Sequence, residues 1–241
     1  MRVGLFVTCL VDLMRPRIGF AALKLLEAAG CEVVVPGAQT CCGQPGWNSG
    51  ERSSARSLAE KLIAEFEDCE QVVVPSGSCA GMIKTHYRDL FAGEAAWLAR
   101  AEALAAKTRE LTDFLVNVAK LQRVPGHFNG SVTYHDSCSG LRELGVKHQP
   151  RHLLAMTPGA TLREMQDCET CCGFGGAFSV KFGEISAAMA DAKCDRIVAT
   201  GANAVALGDL GCMLNIEGRL RRRGDARTRV LHIAEILAGE A

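Results

Sequence analysis

Short apolar runs alternate with longer amphipathic stretches from the start of the chain. Runs at 3–8, 32–35 and 71–74 are rich in valine and other apolar residues, which is typical of buried strands. Stretches near 17–29 and 51–67 have apolar residues at helical spacing. Strands that alternate with helices in this way predict parallel βαβ units rather than hairpins.

The second half of the chain repeats this order. Strands are predicted at 131–135, 161–165, 204–207 and 229–231, and helices near 147–157, 183–199 and 213–223, followed by a final helix. We therefore predict an α/β protein with two repeated doubly wound, Rossmann-like parallel-sheet halves and a pseudo-two-fold relation. The predicted units are a first cysteine-rich domain at 1–93, a helical linker at 94–129 and a second cysteine-rich domain at 130–241.

Cysteines repeat in the same order in both halves. The motif cysteines are Cys9, Cys41, Cys42 and Cys79, then Cys138, Cys171, Cys172 and Cys212. The first cysteine precedes the vicinal pair by 32 and 33 residues, and the last follows the pair by 37 and 40. Duplication of one unit explains these gaps. Since the cysteines follow predicted strands, and the carboxyl ends of parallel strands share one edge of the sheet, we expect four thiolates to converge in each half.

Composition and charge narrow the class of protein. The 241 residues are 48% hydrophobic, with 27 basic and 27 acidic residues, so no net charge favours nucleic acid or an anionic membrane. No apolar stretch approaches the ~20 residues of a membrane span. The first apolar run is closed by Asp12 and Arg15 without a cleavage site, so it reads as a strand rather than a signal peptide. We expect a cytoplasmic protein.

A reducing cytosol favours metal binding or catalysis over disulfides as the role of the 12 cysteines. Vicinal cysteines rarely pair with each other, because the ring they would close is strained. Four soft thiolates from three separate loops suit an iron-sulfur cluster, with zinc in one or both sites as the alternative. The eight motif cysteines are accordingly the predicted cofactor and metal ligands, and we expect one [4Fe-4S] cluster in each half.

Glycines accompany the motif cysteines. Gly43 and Gly173 follow the vicinal pairs, and Gly77 and Gly211 lie just before the last cysteine of each half. They are expected to allow close approach of the backbone to sulfur, or to form ordinary tight turns. Those last cysteines are predicted to open helices, whose N-termini favour thiolate.

Other polar and cysteine residues have less specific patterns. Cys31, Cys69 and Cys194 fit core positions. His135 and Asp136, at a strand end, are candidates for proton relay or hydrogen bonds to sulfur, with strand-end packing as the alternative. An arginine cluster at 219–229 fits a solvated helix end or a docking patch. The glycines at 173–176 do not complete a dinucleotide-binding motif.

Several segments resemble the Cys-Cys-Gly cysteine-rich family, and within it the lactate utilisation protein A group. They are residues 39–45, 75–80, 110–115, 171–176 and 215–221. Related proteins include the cysteine-rich subunit of heterodisulfide reductase and the iron-sulfur subunit of glycolate oxidase. The resemblance implies an iron-sulfur electron-transfer subunit that acts with two partner proteins in the oxidation of L-lactate to pyruvate and is inactive alone. The alternatives are a heterodisulfide-reductase-like thiol/disulfide enzyme and a zinc-bound non-redox scaffold.

One departure from the family pattern bears on the cofactor. The wider pattern ends each motif in Cys-x-x-Cys and can bind a non-cubane [4Fe-4S] cluster through five cysteines, whereas this chain has Ser76 and Asp209 at the first of these positions. The two remaining possibilities are therefore an ordinary [4Fe-4S] cluster and zinc in one half. Cys168 is a candidate fifth thiolate for the second site, with an incidental buried cysteine as the alternative.

Overall fold

Two all-parallel sheets of four strands each form the framework of the protein, which a computed structural model describes over residues 1–241. The first contains β1 (Arg2–Leu5), β2 (Glu32–Val34), β3 (Gln71–Val74) and β4 (Thr108–Glu110), in the order β2-β1-β3-β4. The second contains β5 (Gly130–Tyr134), β6 (Ala160–Leu162), β7 (Ala204–Leu207) and β8 (Arg229–His232), in the order β6-β5-β7-β8. The predicted fold of two repeated α/β halves is confirmed.

Helices connect the strands of each sheet. Those of the first half are α1 (Cys9–Met14), α2 (Pro16–Ala28), α3 (Gln44–Ser49), α4 (Arg52–Phe66), α5 (Gly77–Gly81), α6 (Tyr87–Leu90), α7 (Ala95–Lys107) and α8 (Leu111–Asp113). Those of the second half are α9 (Cys138–Arg142), α10 (His148–Ala155), α11 (Ala177–Lys181), α12 (Gly183–Ala199), α13 (Leu210–Arg222) and α14 (Ile233–Ala238). Short π-helical segments, Met82–His86 and Phe114–Val118, continue α5 and α8. No helix has both the length and the apolar character needed to cross a membrane.

The segment 94–129, predicted to be a helical linker, contains a strand. After α7 the chain forms β4, which pairs in parallel with β3 and becomes the fourth strand of the first sheet. The buried side chains of β4 are polar: Thr108 donates its hydroxyl to the Leu104 carbonyl at 2.8 Å, and Glu110 accepts from the amides of Thr112 and Asp113. An edge strand stabilised by side-chain hydrogen bonds lacks the apolar run that identifies a strand in a sequence.

A central hydrophobic core lies between the two halves. Alternate residues along the inner strands β1 and β7 point to opposite faces of their sheets. Leu5 of β1 and Ala206 of β7 therefore join the central core, whereas Phe6, just after β1, and Leu207 of β7 join two outer cores. Helix α2 of the first half packs against α14 of the second. The halves are therefore held together by one shared core, which fixes the carboxyl edges of the two sheets relative to each other.

Candidate metal centre

The carboxyl edges of both sheets open onto one cavity of about 500 Å³ between the halves. The cavity is lined by all eight motif cysteines: Cys9, Cys41, Cys42, Cys79, Cys138, Cys171, Cys172 and Cys212. Beside it, α5 packs against α9, and the amide of Gly77 donates to the carbonyl of Gly208 at 3.2 Å. The structure thus brings together the four cysteines of each half and also turns both sets toward the same space.

Three segments of the first half supply its four cysteines, which we call the first quartet. Cys9 begins α1, the pair Cys41 and Cys42 lies in the loop before α3, and Cys79 lies in the first turn of α5. Neighbouring thiols affect each other's pKa in the order Cys9, Cys41, Cys42, Cys79. The Tyr87 hydroxyl donates to the Cys42 carbonyl at 2.9 Å and so holds the vicinal pair in place.

The second quartet has the same construction. Cys138 begins α9, the pair Cys171 and Cys172 lies in the loop before α11, and Cys212 lies in the first turn of α13. Neighbouring thiols again affect each other's pKa in chain order, from Cys138 through the pair to Cys212. The Asn215 side-chain amide donates to the Cys172 carbonyl at 2.9 Å, the role that a tyrosine has in the first half.

Each quartet favours one thiolate. Hydrogen bonds from the thiols of Cys42 and Cys9, together with the Gly43 amide at 3.4 Å, lower the pKa of Cys41 to about 3. The equivalent neighbours, two thiols and the following glycine amide, lower the pKa of Cys171 to about 2. Because Cys9 and Cys42 donate to that thiolate and are partly or fully buried, their own pKa values are raised. Their protons are released when a metal takes the sulfur lone pairs.

The glycines after the vicinal pairs allow close packing against helices. Gly43 and Gly173 have φ of +87° and +85°, which favours glycine. A Cβ on Gly43 would lie 3.0 Å from the carbonyl oxygen of Ala55 in α4, and one on Gly173 would lie 2.6 Å from that of Ser186 in α12. Each glycine therefore packs against helix backbone, and its own amide also donates to the first sulfur of the pair, as expected from the sequence.

Ser76 and Asp209 begin the helices that carry the last cysteine of each quartet. The Ser76 hydroxyl accepts from the Cys79 amide at 3.5 Å, and an Asp209 carboxylate oxygen accepts from the Gly211 amide at 3.3 Å. Asp209 also accepts from the Ser78 amide of the other half at 2.7 Å. Burial raises the pKa of Asp209, and the amide hydrogen bonds oppose this effect. Oxygen side chains thus cap helices where the wider family pattern has cysteine.

Cys168 does not line the cavity. Its sulfur accepts from Arg151 at 3.6 Å, and the same guanidinium makes two hydrogen bonds, of 2.9 and 2.8 Å, to the buried carboxylate of Asp136. Asp136 is therefore an ion-pair partner of Arg151. Cys168 therefore contacts the Arg151–Asp136 ion pair and is not placed as a ligand in the cavity.

The remaining cysteines lie in the cores. Cys31 is partly buried and packs against the central core, while Cys69 and Cys194 belong to the two outer cores. All three positions match the core assignment made from the sequence.

His135 lies within the second site. Its side chain is fully buried, and a ring nitrogen lies within 4.8 Å of the sulfur atoms of Cys172 and Cys212. Neither ring nitrogen has a hydrogen-bond partner of normal geometry. The nearby backbone of Cys168 has a small raising effect on the pKa of His135. Burial lowers the pKa of His135 to about 4, which leaves a neutral imidazole. From the sequence, its position at the end of a predicted strand had made it a candidate for hydrogen bonds to sulfur.

The arginine cluster at 219–229 lies at the end of α13 and in the turn that follows. Arg219 pairs with Asp191 of α12, and Arg223 pairs with Asp191 and Asp195. Arg221 donates to the carbonyls of Asp225 and Thr228. These contacts tie α13 to α12 and to its own turn, away from the cavity.

The donor set fits a soft metal centre. Each quartet lines the cavity with four thiols, and the pKa of one of them, Cys41 or Cys171, is lowered well below neutral. Sulfur ligands suit an iron-sulfur cluster or zinc, whereas magnesium and calcium prefer oxygen. The amides of Gly43 and Gly173 donate to the sulfurs of Cys41 and Cys171, which favours negative charge there. Cys79 and Cys212 lie in the first turns of helices, which have the same effect. Fold and site together define a duplicated α/β protein with two thiol-rich centres on one cavity.

Comparison with known proteins identifies the family. Residues 3–84 and 132–217 match the cysteine-rich domain model named CCG, so the chain belongs to that family. It is 47% identical to lactate utilization protein A of Bacillus cytotoxicus and 48% identical to that of Geobacillus kaustophilus, over 98% of each chain. It is 43% identical to lactate utilization protein A 2 of Bacillus cereus. A hypothetical protein from Helicobacter pylori shares the fold, with a TM-score of 0.60 at 10% identity over 98% of this chain and 48% of that one.

Proposed function

We propose that the chain is an iron-sulfur electron-transfer subunit of an assembly that oxidises L-lactate to pyruvate. The observation that carries the proposal is the placement of two complete cysteine quartets on one cavity. Its substrate class comes from the relatives named lactate utilization protein A, which match this chain along nearly its whole length. Thiolate ligation of iron-sulfur clusters and the fold of this family agree with that role.

Two quartets match the electron count of the reaction. Oxidation of lactate to pyruvate releases two electrons and two protons, and a [4Fe-4S] cluster exchanges one electron at a time when bound. The cysteine side chains would hold one cluster in each quartet, and the adjoining amides of Gly43 and Gly173 would donate to sulfur. The shared cavity would keep the two centres near each other and admit an electron donor or acceptor.

Hydride removal from the substrate carbon needs a group other than these thiols. The chain has no complete dinucleotide-binding motif, so we assign substrate oxidation and onward transfer to two partner proteins. We assign the surface for such a partner to an exposed apolar patch beside the cavity. Val180 lines the cavity and is 84% exposed, and Phe182 and Ile185 continue an exposed apolar patch beside it.

Metal and sulfide analysis of anaerobically purified protein tests the cofactor. We expect about eight iron and eight acid-labile sulfide per chain, from one [4Fe-4S] cluster in each quartet. Zinc at about one equivalent per quartet, without sulfide, would instead establish the non-redox scaffold. Anaerobic handling matters because a cavity open to solvent exposes a cluster to oxygen.

A further inference from the structure

Phe6 and His135 occupy equivalent places in the two halves. The Phe6 amide donates to the carbonyl of Val73 at 3.0 Å, and the His135 amide donates to that of Ala206 at 2.9 Å. Each residue follows an inner strand directly and lies three residues before the first motif cysteine of its half. Its amide bonds to the neighbouring inner strand. The repeat thus places a phenyl ring in one half and an imidazole in the other.

Leu62 and Lys193 form a second equivalent pair. The glycine after each vicinal pair packs on Ala55 of α4 or Ser186 of α12, and the buried faces of these helices then correspond residue by residue. The buried positions are Ala55, Ala59, Leu62, Ile63 and Phe66 in α4, and Ser186, Ala190, Lys193, Cys194 and Ile197 in α12. An apolar side chain in the first half is therefore replaced by a buried amine in the second.

These substitutions give the two sites different surroundings. In the first half Phe6 packs edge-on against Phe66, with ring centroids 5.9 Å apart. In the second half the unpartnered His135 ring lies within 4.8 Å of two quartet sulfurs. The Lys193 amine donates to the carbonyls of Asp167 and Cys168, both at 3.1 Å, and makes no ion pair. The second half thus places a buried imidazole and a buried amine where the first half has a phenyl ring and a leucine side chain.

We propose that His135 donates an N–H···S hydrogen bond to the Cys172 or Cys212 sulfur of the second cluster and, with Lys193, gives that cluster the higher reduction potential. A hydrogen-bond donor and a nearby cation both stabilise the more negative, reduced form. With clusters bound, this difference would favour electron transfer from the first quartet to the second. His135 is a positioning residue. This inference rests on the proposed iron-sulfur clusters.

Variants that each lose one cluster, called single-site chains, allow the reduction potential of the other cluster to be measured alone. Cys172→Ser leaves the first cluster and Cys42→Ser leaves the second, and redox titration followed by electron paramagnetic resonance measures each. We expect the second cluster to have the higher potential. In the Cys42→Ser chain, His135→Phe, which copies the first half, should shift the potential downward without loss of iron or sulfide. His135→Gln keeps an N–H donor and should retain most of the original potential.

Lys193→Met provides an independent variant and should also lower the potential of the second cluster. The matched control is Leu62→Met in the Cys172→Ser chain, which should leave the potential of the first cluster unchanged. Equal potentials in the two single-site chains would overturn the inference, as would an unchanged potential in His135→Phe. Loss of iron in His135→Phe but not in Lys193→Met would make His135 a ligand and overturn the hydrogen-bond role. Unmodified protein without iron or sulfide would overturn the proposed function itself.

Discussion

At the scale of single residues, oxygen replaces sulfur at one position beside each quartet. Ser76 and Asp209 accept backbone amide hydrogen bonds at the start of α5 and α13. A hydroxyl or carboxylate accepts such bonds better than a thiol, so these positions stabilise the helix start. Since Cys168 also contacts Arg151 instead of the cavity, four thiols per half are available for the proposed cluster.

Cys42→Ser should remove the cluster of the first quartet and leave that of the second. The side chain of Cys42 is buried and lines the cavity with the other three cysteines of its half. Iron and sulfide per chain should fall by about half, because each half supplies its own ligands. Anaerobic metal analysis of the purified variant measures this.

Cys31→Ser is the control, since Cys31 packs against the central core and does not line the cavity. It should keep the full iron and sulfide content. Loss of iron from Cys31→Ser together with full iron in Cys42→Ser would show that the ligand assignment is wrong.

At the scale of elements, each vicinal pair depends on direct packing of its loop against one helix. Gly173→Ala should destabilise the second half, because its Cβ would lie 2.6 Å from the Ser186 carbonyl oxygen and its φ is +85°. Left-handed backbone costs a non-glycine residue roughly 1–2 kcal/mol, and overpacking adds typically 1–3 kcal/mol. Urea unfolding of the purified chain measures the change in free energy of unfolding.

Gly224→Ala is the matched control for backbone strain. Gly224 has a similar φ of +81°, but a Cβ there meets nothing within 4 Å. This variant should show the cost of left-handed backbone alone, roughly 1–2 kcal/mol. Equal losses in the two variants would contradict the packing role of Gly173.

At the scale of the whole molecule, the two halves share one hydrophobic core and one cavity. We expect the isolated chain to oxidise lactate at a negligible rate and the co-purified assembly to do so rapidly, because one-electron centres held by thiolates do not remove hydride. Anaerobic lactate-dependent dye reduction, with the chain alone and with its partners, measures the difference. Full activity of the single chain would identify a self-contained enzyme instead.

The sequence by itself determined the repeat, the parallel α/β class and the convergence of four cysteines in each half. These properties follow from local hydrophobic spacing and from the rule that parallel strands end at one edge of the sheet. Local spacing also located the helix that became α12, predicted at 183–199 and observed as Gly183–Ala199.

Only the tertiary structure decided how the two halves meet. Four features depend on residues distant in sequence: the common cavity, the polar edge strand β4, the position of His135 beside the second quartet and the pairing of Cys168 with Arg151. Which face of a strand or helix meets the other half is determined by packing in the shared core between α2 and α14. Hydrophobic periodicity reports that a side chain is buried, but the neighbours that surround it are chosen by the packed core as a whole.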